Sequence, residues 1–444
     1  MTSTRLCDIR ECLEGAIPAV LATSDGEGVP NVAYLSQVFF VDDGHVALSF
    51  QFFNKTRRNI LANPRAVALL IHPVTVAAYR LHLRYLRTEQ QGPLFERMKA
   101  QLAGIASHSG MDGVFQLLGA DIYEVEQVEA VPGEPLPAPP ATSGRLAALR
   151  VGAERIARST TLDEAFDAFL ATLADRLGMR HAMVLVLDAK PQRLYTVATR
   201  GYQTSGVGSE IMVGHGVIGV AARERVPIRI SHVTNASLYS QALRSSVQGS
   251  SSPAPADEIP YPGLEQPHSQ LAAPILSMGR LLGVAFVESP CDLQFGHEDE
   301  DALVALTGHL GAAMELLQIA GEVESPPTTA PVKAPAPVGA LLLRRFKAND
   351  SIFVDDAYLI KGVAGAILWK LARDHLQQGR TEFSNRELRL DPSLGLPDVT
   401  DNLEARLLLL QRRLQEHGPH LRIEKTGRGR FRLVVGRKLQ LAEV

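Results

Sequence analysis

Apolar positions along the chain change their period twice, and the changes divide it into three parts. Up to about residue 130, short alternating runs dominate: Ala19–Thr23, Asn31–Gln37, His45–Phe50, Ala66–Ile71 and Tyr79–Leu86. Alternation of period two, bounded here by turn residues at Ser24–Gly28 and Asp42–Gly44, predicts strands. Helical spacing interrupts at Asn54–Asn63 and Gly92–Ala106 before Val114–Val128 returns to an extended pattern. Many short strands with few helices predict a small closed barrel.

From residue 144 the pattern turns helical. Ala147, Leu149, Val151 and Ile156 share one face, and Leu162, Phe166, Phe169, Leu170 and Leu173 another. Thr161 with Glu164 three residues on forms a capping box for the second helix. Strands are predicted at His181–Leu187, Leu194–Thr199, Val226–Ser231, Leu271–Leu276 and Leu281–Val287, with a glycine-bounded turn and short helix over 208–224 and a long closing helix over 299–319. In the last hundred residues, helices are predicted over 362–376, 384–390 and 399–416, followed by two strands within 421–435 joined by a basic glycine turn. Three helices and a basic hairpin are the pattern of a winged helix-turn-helix.

Two Pro/Ala-rich stretches, Val131–Ser143 and Glu322–Val338, separate these parts. Such composition favours extended linkers over a packed core. The expected organisation is therefore a multidomain α+β chain of 1–130, 144–321 and 339–444, with the Ser/Pro-rich Ser245–His268 as a surface insertion in the middle part.

With 45% hydrophobic and 21% charged residues among 444, each part can bury a core. No run of about 18 uncharged apolar residues is present, and acidic residues interrupt the start of the chain, so neither a membrane span nor a secretory leader is expected. Cys7, Cys12 and Cys291 are too few and scattered for a disulfide framework or a zinc site, which points to the cytoplasm and to no metal. Charge is uneven: from Ala340 onward 19 Lys and Arg face 13 Asp and Glu, a net +6, leaving −9 for residues 1–339. A basic tail on an acidic body is what a chain would show if only its tail met DNA.

Candidate chemistry begins at Gln51–Asn59, QFFNKTRRN, where a strand gives way to a helix opening on Lys55, Thr56 and Arg57. Free amides at a helix start, cationic side chains and a hydroxyl together favour a phosphate. The run from Pro30 to Leu70, with its K-T-x-x-N-I-L-x-N-P-R segment, resembles the pyridoxamine-phosphate-oxidase-like family of FMN-binding split barrels. That resemblance implies a dimeric barrel with FMN at the subunit interface, its phosphate near Lys55, Thr56 and Arg57 and its ring beside Ser36, Gln37 and Gln51. Haem is the alternative cofactor, and His82 is expected to be a strand-face residue. No catalytic acid or base is identifiable; a flavin could still supply redox chemistry, so a flavin-dependent oxidoreductase with regulatory domains is the alternative activity.

The stretch MVGHGVIGVAARERVPIRISHVTNASLY, Met212–Tyr239, resembles a GAF domain, which implies an α/β/α sheet that binds a small molecule or dimerises. His215 and His232 are the candidate ligand contacts. Ser384–Leu390, Asp398–Leu414 and Thr426–Phe431 resemble the DNA-binding output domains of bacterial response regulators. If so, Arg406 and Arg412 would reach a groove, with Arg428 and Arg430 on phosphates. Asp398, Asp401 and Glu404, in the first turns of that helix, would repel phosphate. The expectation as a whole is a cytosolic, homodimeric sensor-regulator, with an assembly protein lacking ligands as a further alternative.

Overall fold

The computed structural model describes residues 4–35, 38–50, 55–108, 117–138, 144–188, 192–231, 259–322, 339–394, 396 and 403–444. The first part holds seven strands, β1 (Ala19–Ser24), β2 (Pro30–Leu35), β3 (Phe39–Asp42), β4 (His45–Phe50), β5 (Arg65–Ile71), β6 (Ala78–Glu89) and β7 (Gly119–Ala130), with helices α1 (Lys55–Ala62) and α2 (Pro93–His108). The strands pair antiparallel in the order β2-β1-β5-β6-β7-β4-β3. Because β2 and β3 are edges that do not pair with each other, the expected closed barrel is split. Alternation does the folding work: Ala66, Ala68 and Leu70 of β5 and Leu81 and Leu83 of β6 point into a core with Leu21, Val46, Leu48 and Tyr123. Ile60 brings α1 over the same core, and Asn59 and Asn63 donate to Thr23 Oγ1 at 3.2 Å and Ser24 Oγ at 2.9 Å. The two asparagines of the Asn59–Arg65 segment thus fasten α1 to β1. Residues 6–13 form 3-10 turns kinked at Ile9.

The middle part is a six-stranded antiparallel sheet of β8 (His181–Asp188), β9 (Arg193–Arg200), β10 (Glu210–Met212), β11 (Ile228–Ile230), β12 (Ser269–Ser277) and β13 (Arg280–Ser289), ordered β10-β9-β8-β13-β12-β11. Helices α3 (Arg145–Arg158), α4 (Leu162–Leu177) and α6 (His297–Glu322) cover one face through Ile156, Phe166, Phe169, Leu306, Leu310 and Met314. Helix α6 is long and apolar enough to cross a membrane on length and composition, but its Leu303, Leu306 and Leu310 are core residues. Thr161 accepts from the Glu164 amide at 3.2 Å, while the Glu164 carboxylate reaches back to Thr160 rather than to Thr161. Helix α5 (Gly216–Glu224) covers the other face and receives α2 of the barrel. Gly104 of α2 permits close approach to β11 beside it, since a Cβ there would lie 2.4 Å from Ile228 Cγ2.

The tail adds β14 (Ala340–Phe346), β15 (Ser351–Val354), β16 (Ala357–Ile360), α7 (Gly362–Gln378), β17 (Glu382–Ser384), α8 (Asn385–Leu390), α9 (Leu403–Glu416), β18 (Leu421–Gly427), β19 (Arg430–Val435) and β20 (Lys438–Glu443). The three helices and the β18–β19 hairpin follow the expected order, and a four-stranded sheet, β16-β15-β14-β20, flanks them. Its apolar core is continuous with the helical layer of the middle domain.

One buried ion cluster ties the tail together. Lys370 bridges Asp374 at 2.9 Å and Asp391 at 2.7 Å. Lys370, with help from Ser393, holds the Asp391 carboxyl down at about 2. A carboxylate depressed in the fold stabilises it above the carboxylate's ordinary value near 3.8 and loses that contribution as pH falls toward 2. Acid titration of unfolding is therefore expected to show a stability loss between about pH 4 and 2 that Asp391→Asn removes.

Candidate functional site

The strand-to-helix junction at α1 splits its cations between two environments. Lys55 and Arg58 are exposed, and the Thr56 hydroxyl accepts from Asn31 Nδ2 at 2.9 Å. Arg57 turns inward instead. It pairs with Asp121, donates to Thr88 Oγ1 at 2.7 Å and lies over the Tyr85 ring. Thr88 in turn donates to Asp121 at 2.6 Å, closing a network across β6 and β7. Burial alone would lower the Arg57 pKa, but Asp121 and Tyr85 together raise it. Arg57, expected beside a phosphate, is thus paired with a carboxylate inside the barrel in this structure. Lys55, Thr56 and Arg58 remain chemically suited to a phosphate, as two exposed cations and a hydroxyl at a helix start. Ser36, Gln37 and Gln51 lie outside the described residues. His82, on β6, pairs with Glu129 at 3.1 Å at the strand surface.

In the middle domain His215 is the exposed N-cap residue of α5, and its carbonyl accepts from the Gly219 amide at 3.0 Å. His232 lies outside the described residues. The buried polar group on this face is one that the sequence reading missed. Glu288 of β13 is 1% exposed and accepts from the Leu264 amide at 2.8 Å and Gln270 Nε2 at 3.4 Å. Burial raises its pKa, and burial beside Glu288 raises those of Tyr202 and Tyr261. A carboxylate inside the apolar run LLGVAFVES was the available signal.

The domain also makes charged contacts in both directions. Toward the barrel, Arg229 of β11 donates to Glu14 Oε1 at 2.8 Å, to Glu300 of α6 at 2.8 Å and to Ser231 Oγ at 2.9 Å. Burial by itself lowers the Arg229 pKa, yet Glu14 and Glu300 raise it above the ordinary value. Toward the tail, both Nη atoms of Arg406 meet the Asp188 carboxylate, at 3.0 and 3.1 Å, and the side chain is 4% exposed. Arg412 donates to Asp163, to Asp167 at 3.0 Å and to the Val197 carbonyl at 3.1 Å. In this structure Arg406 and Arg412, the expected groove contacts, both face the middle domain, whose helix α4 and strand β8 present carboxylates and whose β9 presents a backbone carbonyl. Glu404 is equally internal, accepting from Asn385 at 2.6 Å and Lys425 at 3.0 Å. Asp398 and Asp401 lie outside the described residues. Arg428 is exposed at the hairpin tip, and Arg430 begins β19, half-buried. Among the described residues no group of three or more His, Cys, Asp and Glu is placed to hold a metal ion.

Comparison with known proteins follows this division. Residues 8–129 match the family model described as pyridoxamine 5'-phosphate oxidase, and residues 159–315 match that of the GAF domain. No curated protein sequence matches significantly. Among solved structures, the GAF domain of an Acinetobacter phosphoenolpyruvate-protein phosphotransferase is similar at 20% identity, covering 42% of this chain and 99% of that chain with a TM-score of 0.32. An FMN-binding protein from Syntrophomonas wolfei is similar at 16% identity over 28% of this chain and 86% of that chain, with a TM-score of 0.24. Free methionine-R-sulfoxide reductase from Neisseria meningitidis is similar at 18% identity over 40% and 95%, with a TM-score of 0.32. The chain thus carries a pyridoxamine 5'-phosphate oxidase-like domain over residues 8–129, followed by a GAF domain over residues 159–315.

Proposed function

We propose that this chain is a cytosolic flavin-responsive regulator: FMN in the barrel, the GAF domain as relay and small-molecule sensor, and a winged-helix tail as a DNA-binding output. The observation that carries this reading is the central position of the GAF domain, joined to the barrel through Arg229 and to the tail through Arg406 and Arg412. A change at either outer domain therefore bears on the same sheet and helices. Homodimerisation belongs to the same reading. Edge strand β2 turns Val32 and Tyr34 outward at 62% and 81% exposure, an apolar strip suited to a second copy.

For FMN, Lys55 supplies the phosphate's cation, with Thr56 and Arg58 beside it. Flavin-fluorescence titration checks this directly. Lys55→Ala is expected to weaken FMN binding about tenfold, the value of one charge-assisted hydrogen bond, with Tm unchanged because the side chain is exposed. Arg57→Ala is expected to lower Tm instead, since it leaves Asp121 buried without its cation. Equal FMN affinity in wild type and Lys55→Ala would refute this placement. For the output, binding of a DNA duplex whose affinity falls steeply with salt supports the tail's role.

A further inference from the structure

Helix α9 carries both arginines expected to read DNA, and the GAF domain holds both. Asp188, at the end of β8, takes Arg406 in a two-point contact that is almost wholly buried. Asp163 and Asp167 stand one turn apart on the first two turns of α4, so their carboxylates share a face, and Arg412 is set against both. Arg412 also reaches the Val197 carbonyl of β9, and Glu416 at the end of α9 accepts from Ser205. Carboxylates thus hold the two side chains expected to reach a groove, and residues 403–410 of the docked helix are buried.

We propose that the GAF domain is an acidic clasp on α9: Asp163, Asp167 and Asp188 occupy Arg406 and Arg412 in place of nucleic acid and hold the tail off DNA until α9 is released. This rests on the reading of the tail as a DNA-binding unit and adds its regulation. The Arg412 side of the clasp is suited to opening. Asp163 and Asp167 are 51% and 68% exposed, and ion pairs at such exposure are weak and salt-screened. Asp188 and Arg406, more deeply placed, give the docked state its register.

The test uses the full-length Asp163→Asn/Asp167→Asn variant, whose substitutions lie on exposed side chains and leave the core intact. Hydrogen exchange over residues 403–416 reports release, and fluorescence anisotropy with a labelled random-sequence duplex reports binding. A Glu154→Gln/Asp175→Asn variant removes the same charge at exposed acids paired with Arg150 and Arg200, away from α9. Faster exchange in α9 with DNA affinity raised about tenfold is expected, as follows when a larger fraction of molecules is binding-competent. The gain should be absent from the control and abolished by adding Arg412→Ala. Unchanged exchange in α9, or faster exchange with wild-type DNA affinity, overturns the clasp while leaving the tail a DNA binder. Faster exchange with no DNA binding by any form overturns the reading of the tail itself, and the clasp with it. Asp188→Asn, tested in parallel, is expected to act in the same direction.

Discussion

Arg229→Ala is expected to destabilise the protein by about 3–5 kcal/mol, read by urea unfolding, because it strands two carboxylates. The Arg229 side chain is 8% exposed, and it contacts Glu14 from the barrel's first turns and Glu300 from α6 of the GAF domain. Removing one member of a buried charge cluster leaves the others desolvated without compensation, which costs more than the pair itself contributes. Arg229→Lys keeps the charge but not the fork that grips Glu14 with two nitrogens, so it should fall between wild type and alanine. Removing charge on both sides, as in Glu14→Gln/Arg229→Met, should recover much of the loss. A cost under about 1 kcal/mol for Arg229→Ala would mean the cluster is solvated and does not fasten the two domains.

The second large effect concerns one atom in the middle of the GAF sheet. Gly283 of β13 lies opposite Val186 of β8, where an added Cβ would come within 2.0 Å of the Leu185 carbonyl oxygen. That neighbour is backbone and cannot swing aside, so Gly283→Ala must separate the two central strands. A loss of about 4 kcal/mol or more is expected, read as collapse of soluble yield or of Tm. Gly308 provides the contrast. It sits on the exposed side of α6 with nothing within 4 Å of a Cβ, and there the same substitution should stabilise by about 0.5–1 kcal/mol through helix propensity. Equal behaviour of the two variants would contradict the strand spacing described here.

Local patterns were legible where burial is one-sided. The alternation of Ala66, Ala68 and Leu70 located β5, the stripe from Phe166 to Leu173 located α4, and Thr161 marked where α4 begins. Strand β3 was not legible, since Phe39, Phe40 and Val41 form a short apolar run with no alternation and only half-buried side chains. Strands β15 and β16 escaped for a related reason, being four residues each, and β14 pairs in parallel with β20, a strand nearly a hundred residues away. The candidate site was legible in residue type but not in partner. Nothing near Arg57 in sequence reveals Asp121, which neutralises it from 64 positions on. Residue type marked Arg406 and Arg412 as candidate contacts, but periodicity describes a face and not what covers it. Whether a polar stripe meets solvent, DNA or another domain is decided by tertiary packing, and here Asp163, Asp167 and Asp188 decide it.

The central claim, a flavin-responsive regulator with its cofactor in the barrel, is tested most directly by the absorbance spectrum of the purified full-length protein before and after addition of FMN. A flavin spectrum whose heat-released chromophore is FMN, or its appearance on reconstitution, weakened in Lys55→Ala, is the expected result. Colourless protein that retains no FMN after reconstitution and gel filtration would contradict it.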